Sequence, residues 1–222
     1  MARLPELQTV PHVLHSKILS LNMVVFILLL VFFYASHSWL ASLVVKQFIN
    51  KQSPTIFNFY RLFYTLFSVT LWGIITWWFI YKHEYNYLFS QSPGLTCAGY
   101  ISAAAGLLII SLSIIKYGFM EFSGLNAFTS ANKRQNAENL KPELNTGGMN
   151  SVVRHPIYSG ILLALVGLFF CLPTQMTLAG ILVSLIYLEI GIRLEERKLE
   201  KEFSNSYNEY KKKVKKVIPW VY

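Results

Sequence analysis

Long apolar stretches alternate with short polar segments along most of the chain, and this pattern predicts a membrane protein built from helices. The apolar stretches cover residues of about 22–45, 57–81, 95–115, 157–172 and 176–194. Several of them reach the length of roughly twenty residues that an α-helix needs to cross the hydrocarbon core of a bilayer. We therefore expect an all-α fold, a polytopic membrane helical bundle with about five transmembrane helices.

The fourth apolar stretch is shorter than the others, because it covers only residues 157–172. At 1.5 Å per residue a helix of that length measures about 24 Å, which is less than a hydrocarbon core of about 30 Å. Leu172-Pro173-Thr174-Gln175 then interrupts the helix, and the fifth stretch follows at once. Helices four and five are therefore predicted to form a tight hairpin, with helix four either short or shielded by protein.

The polar segments divide the chain into four predicted parts. Residues 1–21 are expected to form an extended leader outside the membrane, 22–115 a three-span bundle with a short polar loop at 46–54, and 116–153 a cytoplasmic loop. Residues 154–222 are expected to form the hairpin and a C-terminal cytoplasmic amphipathic helix. Small residues in the third span predict close approach by another helix; they are Gly99, Ala103, Ala104, Ala105 and Gly106.

The chain carries a net charge of +9, yet the distribution of charge argues against a nucleic-acid partner. Basic residues flank apolar spans instead of alternating with exposed aromatic residues, which is typical of membrane orientation. With five spans, one face of the membrane holds Arg3, Lys17 and Lys82, and the other face holds the remaining basic residues. We therefore expect a multi-pass protein in contact with lipid, with its N-terminus outside and its C-terminus cytoplasmic.

The fourth span begins with the polar segment Arg154-His155-Pro156. Proline fits the first turn of a helix because its missing N–H costs nothing there. Arg154 and His155 then lie beside the unpaired N–H groups of the helix, an arrangement suited to binding a carboxylate or a phosphate. The alternative is that both residues only mark the cytoplasmic end of the span.

Two carboxylates, Glu195 and Glu196, close the fifth span. The helix macrodipole opposes negative charge at a C-terminal end, which favours another role for the pair, such as accepting hydrogen bonds from the hydroxyls of a ribose. A solvated, charged helix end is the alternative. If helices four and five form a hairpin, these carboxylates meet Arg154 and His155.

Three further features have both a structural and a functional interpretation. Glu189 lies inside the fifth span, and Arg193 is placed four residues later to pair with it on the same helix face. His37 in the first span is either a hydrogen-bonded packing residue or a group that handles protons. A stripe of one leucine and three aromatic residues belongs either to a helix on the membrane surface or to a lid over a cationic ligand; it comprises Leu199, Phe203, Tyr207 and Tyr210.

Motifs of several other enzyme classes are absent from the sequence. It contains no glycine-rich phosphate loop, no HExxH, no CxxC pair and no Gly-x-Ser-x-Gly. The two cysteines, Cys97 and Cys171, lie in or beside apolar stretches and are expected to fill space. No metal site is therefore predicted.

Two segments resemble the conserved patterns of one superfamily. Residues 148–160, GMNSVVRHPIYSG, resemble the pattern GxYxxxRHPxYxG of the membrane methyltransferases, which include the isoprenylcysteine carboxyl and phospholipid methyltransferases. Residues 195–219 are similar to the second pattern of this group, EExxLxxxFGxxYxxYxxxVP. Within the group, Pro173-Thr-Gln-Met-Thr and His37-Ser38 resemble the methanethiol S-methyltransferase and NnrU-like branch.

The resemblance implies S-adenosylmethionine as the methyl donor and 154–222 as a cofactor-binding hairpin with its C-terminal helix. Side chains near the start of helix four would border the amino-acid end of the cofactor, one of the two carboxylates would hold the ribose hydroxyls, and a leucine would lie against the adenosine. The cofactor-binding residues implied in this way are His155, Tyr158, Gly160, Glu195, Glu196 and Leu199.

The resemblance also implies that Arg154 orients a carboxylate of cofactor or substrate, so that Arg154 and His155 are the predicted catalytic residues. Three places depart from the pattern. Met149-Asn150 replaces an aromatic residue, Ser204 replaces a glycine, and Lys215-Lys216 lengthens the approach to the final proline. The first departure affects one wall of the acceptor pocket, and the other two affect the segment that closes the cofactor site.

The predicted function is methyl transfer to a small or lipophilic thiol, because of the resemblance to the methanethiol branch. An isoprenylcysteine carboxylate and a phospholipid are the alternative acceptors. An alternative of another class is a non-enzymatic, NnrU-like membrane carrier or assembly factor, in which the basic and acidic helix ends only pair with each other.

Overall fold

The computed structural model describes residues 12–82, 86–128 and 144–222, and within these ranges the chain forms seven α-helices. The helices are α1 (His12–Ala41), α2 (Leu43–Gln52), α3 (Pro54–Lys82), α4 (Pro93–Tyr117), α5 (Phe119–Ser123), α6 (Pro156–Cys171) and α7 (Gln175–Lys213). Residues Leu21–Ala41 of α1, together with α3, α4 and α7, are long and apolar enough to cross a membrane, and α6 is a shorter apolar helix. The predicted all-α, polytopic fold is confirmed.

Helices α1, α3 and α7 pack around an aromatic core. Three ring pairs show that α1 and α3 are antiparallel: Phe26 with Phe79, Phe33 with Trp72, and His37 with Tyr64. Helix α7 runs parallel to α1, since Gly180 lies against Phe26 and, further along both helices, Tyr187 stacks on Tyr34 with ring centroids 4.0 Å apart. The first and last spans are therefore in direct contact.

Helices α4 and α6 run antiparallel and pack closely because glycines line their contact. A methyl group on Gly160 would lie 2.7 Å from the carbonyl oxygen of Gly106, and one on Gly167 would lie 2.6 Å from that of Gly99. Such distances are too short for a side chain, so only glycine permits this approach. The predicted small-residue contact is confirmed, and α6 is shielded along one face by α4.

Two element boundaries differ from the sequence prediction. The predicted loop at 46–54 is wrong, because Leu43–Gln52 forms α2; the Ser42 hydroxyl accepts a hydrogen bond from the Val45 amide at its start. Polar residues share this short helix with exposed apolar ones such as Phe48, which is why the segment resembled a loop. Helix α1 begins at His12, so residues 12–21 of the predicted leader are helical, while 1–11 lie outside the described residues, as do 129–143 of the predicted loop.

Helix α7 continues far beyond the predicted fifth span. It starts after Pro173, where the Thr174 hydroxyl accepts a hydrogen bond from the Thr177 amide at 3.2 Å, which confirms the predicted break. At Ser204 the backbone turns to φ 45° and ψ −115°, and the helix bends. The bend brings Tyr207 back against the preceding part of the helix, where this residue is fully buried.

Candidate active site

The segment before α6 is held by the chain that follows α7. The amide of Arg154 donates to the Lys215 carbonyl at 2.8 Å, and the amide of His155 donates to the Lys216 carbonyl at 3.0 Å. In the first turn of α6, the Ser159 hydroxyl donates to a carbonyl at position 217, at 2.6 Å. Residues 214–217, termed the strap, therefore fix the backbone that carries Arg154 and His155.

Arg154 forms a buried ion pair with Glu196. Its Nε and Nη2 donate to Oε1 of Glu196 at 2.9 and 2.6 Å, and the two side chains are only 7% and 10% exposed. Its Nη1 donates to the carbonyls of Val214 and Lys211 at 2.5 and 3.3 Å. The start of α6 and the acidic part of α7 therefore meet as the hairpin prediction required, and all three guanidinium nitrogens of Arg154 have partners within the protein.

His155 lies between the two adjacent carboxylates of α7. Its Nε2 is 3.4 Å from Oε1 of Glu196, and its Nδ1 is 3.6 Å from Oε2 of Glu195. The Tyr207 hydroxyl approaches the same Glu196 oxygen at 3.4 Å. Glu196 is thus an internal partner of three side chains, whereas the Glu195 side chain contacts His155 and Tyr158 and is 46% exposed.

A cavity of about 310 Å³ opens beside Glu195. Its walls come from the start of α6, from α7, and from α1, α4 and α5. Residues that line it are His37, Tyr117, Phe122, Arg154, His155, Pro156, Ile157, Tyr158, Ile161, Tyr187, Leu188 and Glu195. The cavity therefore joins several predicted cofactor-binding residues to side chains of the first bundle.

The other predicted cofactor-binding residues occupy three different positions. Tyr158 belongs to the cavity wall, and its ring meets the ring of His155 edge-on at 5.6 Å. Gly160 lies at the contact between α6 and α4, and Leu199 is half-buried one turn beyond Glu195. Contacts of all these residues with a cofactor stay predictions.

Glu189 and Arg193 form the predicted pair, with Nε and Oε1 2.6 Å apart. Glu189 also accepts a hydrogen bond from the Tyr222 hydroxyl at 3.2 Å, and Nζ of Lys216 lies 3.8 Å away. This cluster ties α7 to the strap, through Lys216, and to the chain that follows the strap. The contacts support the structural interpretation of the pair.

Three aromatic residues of the cavity were absent from the sequence prediction: Tyr117, Phe122 and Tyr187. For Tyr187 a signal was available, because it precedes Glu195 by about two helical turns and so lies on a similar face of α7. For the other two no local signal exists, since they enter the cavity through the turn between α4 and α5.

The cavity combines a half-exposed carboxylate, two histidines and several aromatic rings. Aromatic faces and a carboxylate attract cations, so the arrangement suits a positively charged ligand next to a hydrogen-bonded sugar or amino-acid group. The two sequence patterns that resemble those of the membrane methyltransferases meet at this site, one at the start of α6 and the other at the end of the last span.

Comparison with known families agrees with this class. The profile of the family described as phospholipid methyltransferase matches residues 95–206, half of the chain. The chain therefore belongs to this family, and its long apolar helices make it an integral membrane protein.

Two curated relatives carry more specific names. The chain is 33% identical over 133 residues to methanethiol S-methyltransferase 1 of Bradyrhizobium diazoefficiens, a match that covers 59% of this chain and 44% of the relative. It is 27% identical over 203 residues to methanethiol S-methyltransferase of Pseudomonas deceptionensis, covering 90% of this chain and 73% of the relative. The chain thus spans less than half the length of the first relative. No solved structure matches the chain.

Proposed function

We propose that the chain transfers a methyl group from S-adenosylmethionine to a small or lipophilic thiol. The observation that carries the proposal is the different state of two neighbouring carboxylates. Glu196 is enclosed by Arg154, His155 and Tyr207, whereas Glu195 is half-exposed in the wall of the cavity. Glu195 is fixed in place by its position next to the buried ion pair, and its carboxylate is accessible from the cavity. Such a carboxylate suits a ligand that has hydroxyl groups and a positive charge.

The residues of the cavity fit this cofactor in chemical type. Glu195 would accept hydrogen bonds from the ribose hydroxyls, and His155 would border the amino-acid end. The aromatic rings of Tyr158 and Tyr187 would face the sulfonium cation. Arg154, with its nitrogens bound to Glu196 and to backbone carbonyls, would position the site; contact with a ligand carboxylate requires one of these bonds to open.

The cofactor supplies an electrophilic methyl group when bound, and the protein supplies alignment and exclusion of water. Correct orientation of two reactants is worth about 7–11 kcal/mol of the barrier in favourable cases. The strap and the segment after Ser204 cover the end of the hairpin, where they keep water from the reacting groups. A thiol acceptor is supported by the names of the two curated relatives and by the aromatic walls of the cavity.

The second candidate acceptor is a phospholipid headgroup, which the description of the matching family favours. The two candidates differ in where the product is found. Membranes containing the protein are incubated with methyl-labelled cofactor and with a panel of thiols, prenylcysteines and phospholipids. We expect label in a thioether; label in lipid alone would support the second candidate instead.

Calorimetry with S-adenosylhomocysteine tests the cofactor part of the proposal. Purified protein is expected to bind S-adenosylhomocysteine. Glu195→Gln is expected to weaken the free energy of binding by about 1.5–3 kcal/mol, roughly a tenfold to a hundredfold increase in Kd, because a charged hydrogen-bond acceptor is removed. Glu209→Gln is the matched control, since Glu209 pairs with exposed Lys212 and is not part of the cavity wall. Absence of binding by the unmodified protein, or unchanged binding by Glu195→Gln, would contradict the proposal.

A further inference from the structure

His37 lines the same cavity as Glu195 and His155, yet the proposed cofactor contacts give it no role. It lies in the part of α1 that crosses the membrane, where an ionisable side chain is costly and usually serves a function. The imidazole is half-buried and faces the cavity from a different helix than the proposed cofactor-binding residues. The imidazole of His37 can therefore act on the methyl acceptor instead of on the cofactor.

Two hydroxyls of α3 hold the ring of His37 in place. The Tyr64 oxygen lies 2.7 Å from Nε2 and 3.0 Å from Nδ1, and the Ser68 oxygen lies 3.2 Å from Nδ1. In the tautomer whose Nδ1–H donates to Ser68, the electron pair of Nε2 accepts a hydrogen bond from Tyr64, and it becomes free for another proton when the Tyr64 hydroxyl turns away. A neutral imidazole held in this way is suited to accept a proton.

Other titratable groups around the cavity are engaged differently. Arg154 is paired with Glu196, and Glu195 lies beside His155 in the proposed cofactor half. From α7, the Tyr187 hydroxyl accepts a hydrogen bond from Ser38 at 3.1 Å, and from α4 the Tyr117 hydroxyl bonds Asn150. Of the two histidines in the described cavity wall, His155 lies between Glu195 and Glu196 in the proposed cofactor half, so His37 is the imidazole that is left for the acceptor.

We propose that His37 is the general base that removes the proton of a neutral thiol; this inference rests on the proposed function. The Tyr64 hydroxyl turns away from Nε2 of His37, the S–H proton passes to that nitrogen, and the electron pair left on sulfur forms the new bond to the methyl carbon. The bond between that carbon and the sulfonium sulfur breaks, and its electron pair stays on the sulfonium sulfur, which becomes a neutral thioether. The imidazolium then releases its proton to water.

A base is needed because an ordinary thiol, with a pKa of about 8.5, is mostly protonated at pH 7, and the thiolate is the nucleophile. A thiol that is already ionised needs no base. If His37 is a base, the effect of replacing it therefore depends on the acidity of the thiol. If His37 only joins α1 to α3, replacing it has the same effect on methylation of every thiol.

The test compares an aliphatic thiol with an electron-poor aromatic thiol that is ionised at neutral pH. With the aliphatic thiol, His37→Gln and His37→Asn are expected to lower kcat by about a hundredfold or more. With the aromatic thiol both variants are expected to stay near the unmodified protein. Ser36→Ala is the matched control, because the Ser36 hydroxyl donates within α1 to the Phe33 carbonyl.

Calorimetric binding of S-adenosylhomocysteine separates this inference from the function on which it rests. We expect the His37 variants to bind it as the unmodified protein does. Equal loss with both thiols, or no loss with either, would overturn the role of His37 as a base. Failure of the unmodified protein to bind the ligand overturns the proposed function itself, and binding without methylation of any thiol overturns the thiol acceptor and the base together.

Discussion

Arg154 and Glu196 are 42 positions apart in the chain, yet two guanidinium nitrogens of Arg154 converge on one carboxylate oxygen of Glu196. Both side chains are almost completely buried, and the same arginine also binds the backbone at Val214. The pair thus joins α6, α7 and the strap at one point. Removal of this ion pair is therefore expected to lower the stability of the fold in the first place.

Glu196→Ala is expected to lower the free energy of unfolding by about 3–5 kcal/mol, because it leaves a buried arginine charge without its partner. Unfolding in detergent, followed by circular dichroism against temperature or denaturant, measures the loss. Glu209→Ala removes an exposed pair with Lys212 and is expected to change stability little. Equal effects of the two substitutions would contradict the assignment of Glu196 as an internal partner.

Ser204→Gly is expected to stabilise the protein by about 1 kcal/mol, since a non-glycine residue at positive φ is strained and glycine is not. Ser206→Gly is the control: Ser206 lies in the same helix at ordinary geometry, so its replacement is expected to cost about 0.5 kcal/mol. The two unfolding transitions, measured side by side, should shift in opposite directions. A shift of both to lower stability would argue against strain at Ser204.

Gly160→Ala is expected to destabilise the fold by about 1–3 kcal/mol, because its methyl group would meet the Gly106 carbonyl and force α4 and α6 apart. Gly73→Ala in α3 meets no atom within 4 Å and is expected to stabilise by about 0.5–1 kcal/mol. Thermal unfolding of both variants provides the comparison. A Gly160→Ala variant as stable as Gly73→Ala would show that the glycine contact is not required.

A reporter fused after Tyr222 is expected to lie in the cytoplasm, because most basic residues flank that face of the membrane. Alkaline phosphatase and green fluorescent protein fusions, which are active on opposite sides, measure the orientation. The same reporters inserted between α3 and α4 serve as the control and should give the opposite result. Phosphatase activity at the C-terminus would overturn the charge argument.

The site illustrates what local sequence can specify and what it cannot. Pro156 marks the start of α6, and Pro173 with Thr174 marks the turn to α7, so the meeting of Arg154 with Glu196 followed from element order alone. Nothing in the sequence distinguished Glu196 from Glu195. The difference arises from helix phase: one carboxylate faces Arg154 and Tyr207, and the other faces the cavity.

Other features depend on contacts between distant elements. The departure at Ser204 was visible in the sequence, but its positive φ was not, because serine rarely adopts this conformation unless tertiary contacts impose it. His37 was identified as an unusual residue of the first span. Its place in the cavity depends on the packing of α1 against α7, which helical periodicity does not determine.

The contacts of Arg154 can form only after the last span and the strap have been synthesised. Arg154 leaves the ribosome 42 residues before Glu196 and 60 residues before Val214, so the basic start of α6 has none of these partners while the last span is still being inserted. A chain whose last span enters the membrane in the wrong direction leaves the two halves of the ion pair on opposite faces of the bilayer. Such a misinserted chain would lack the buried ion pair, and the proposed methyl transfer would be confined to molecules whose topology is correct.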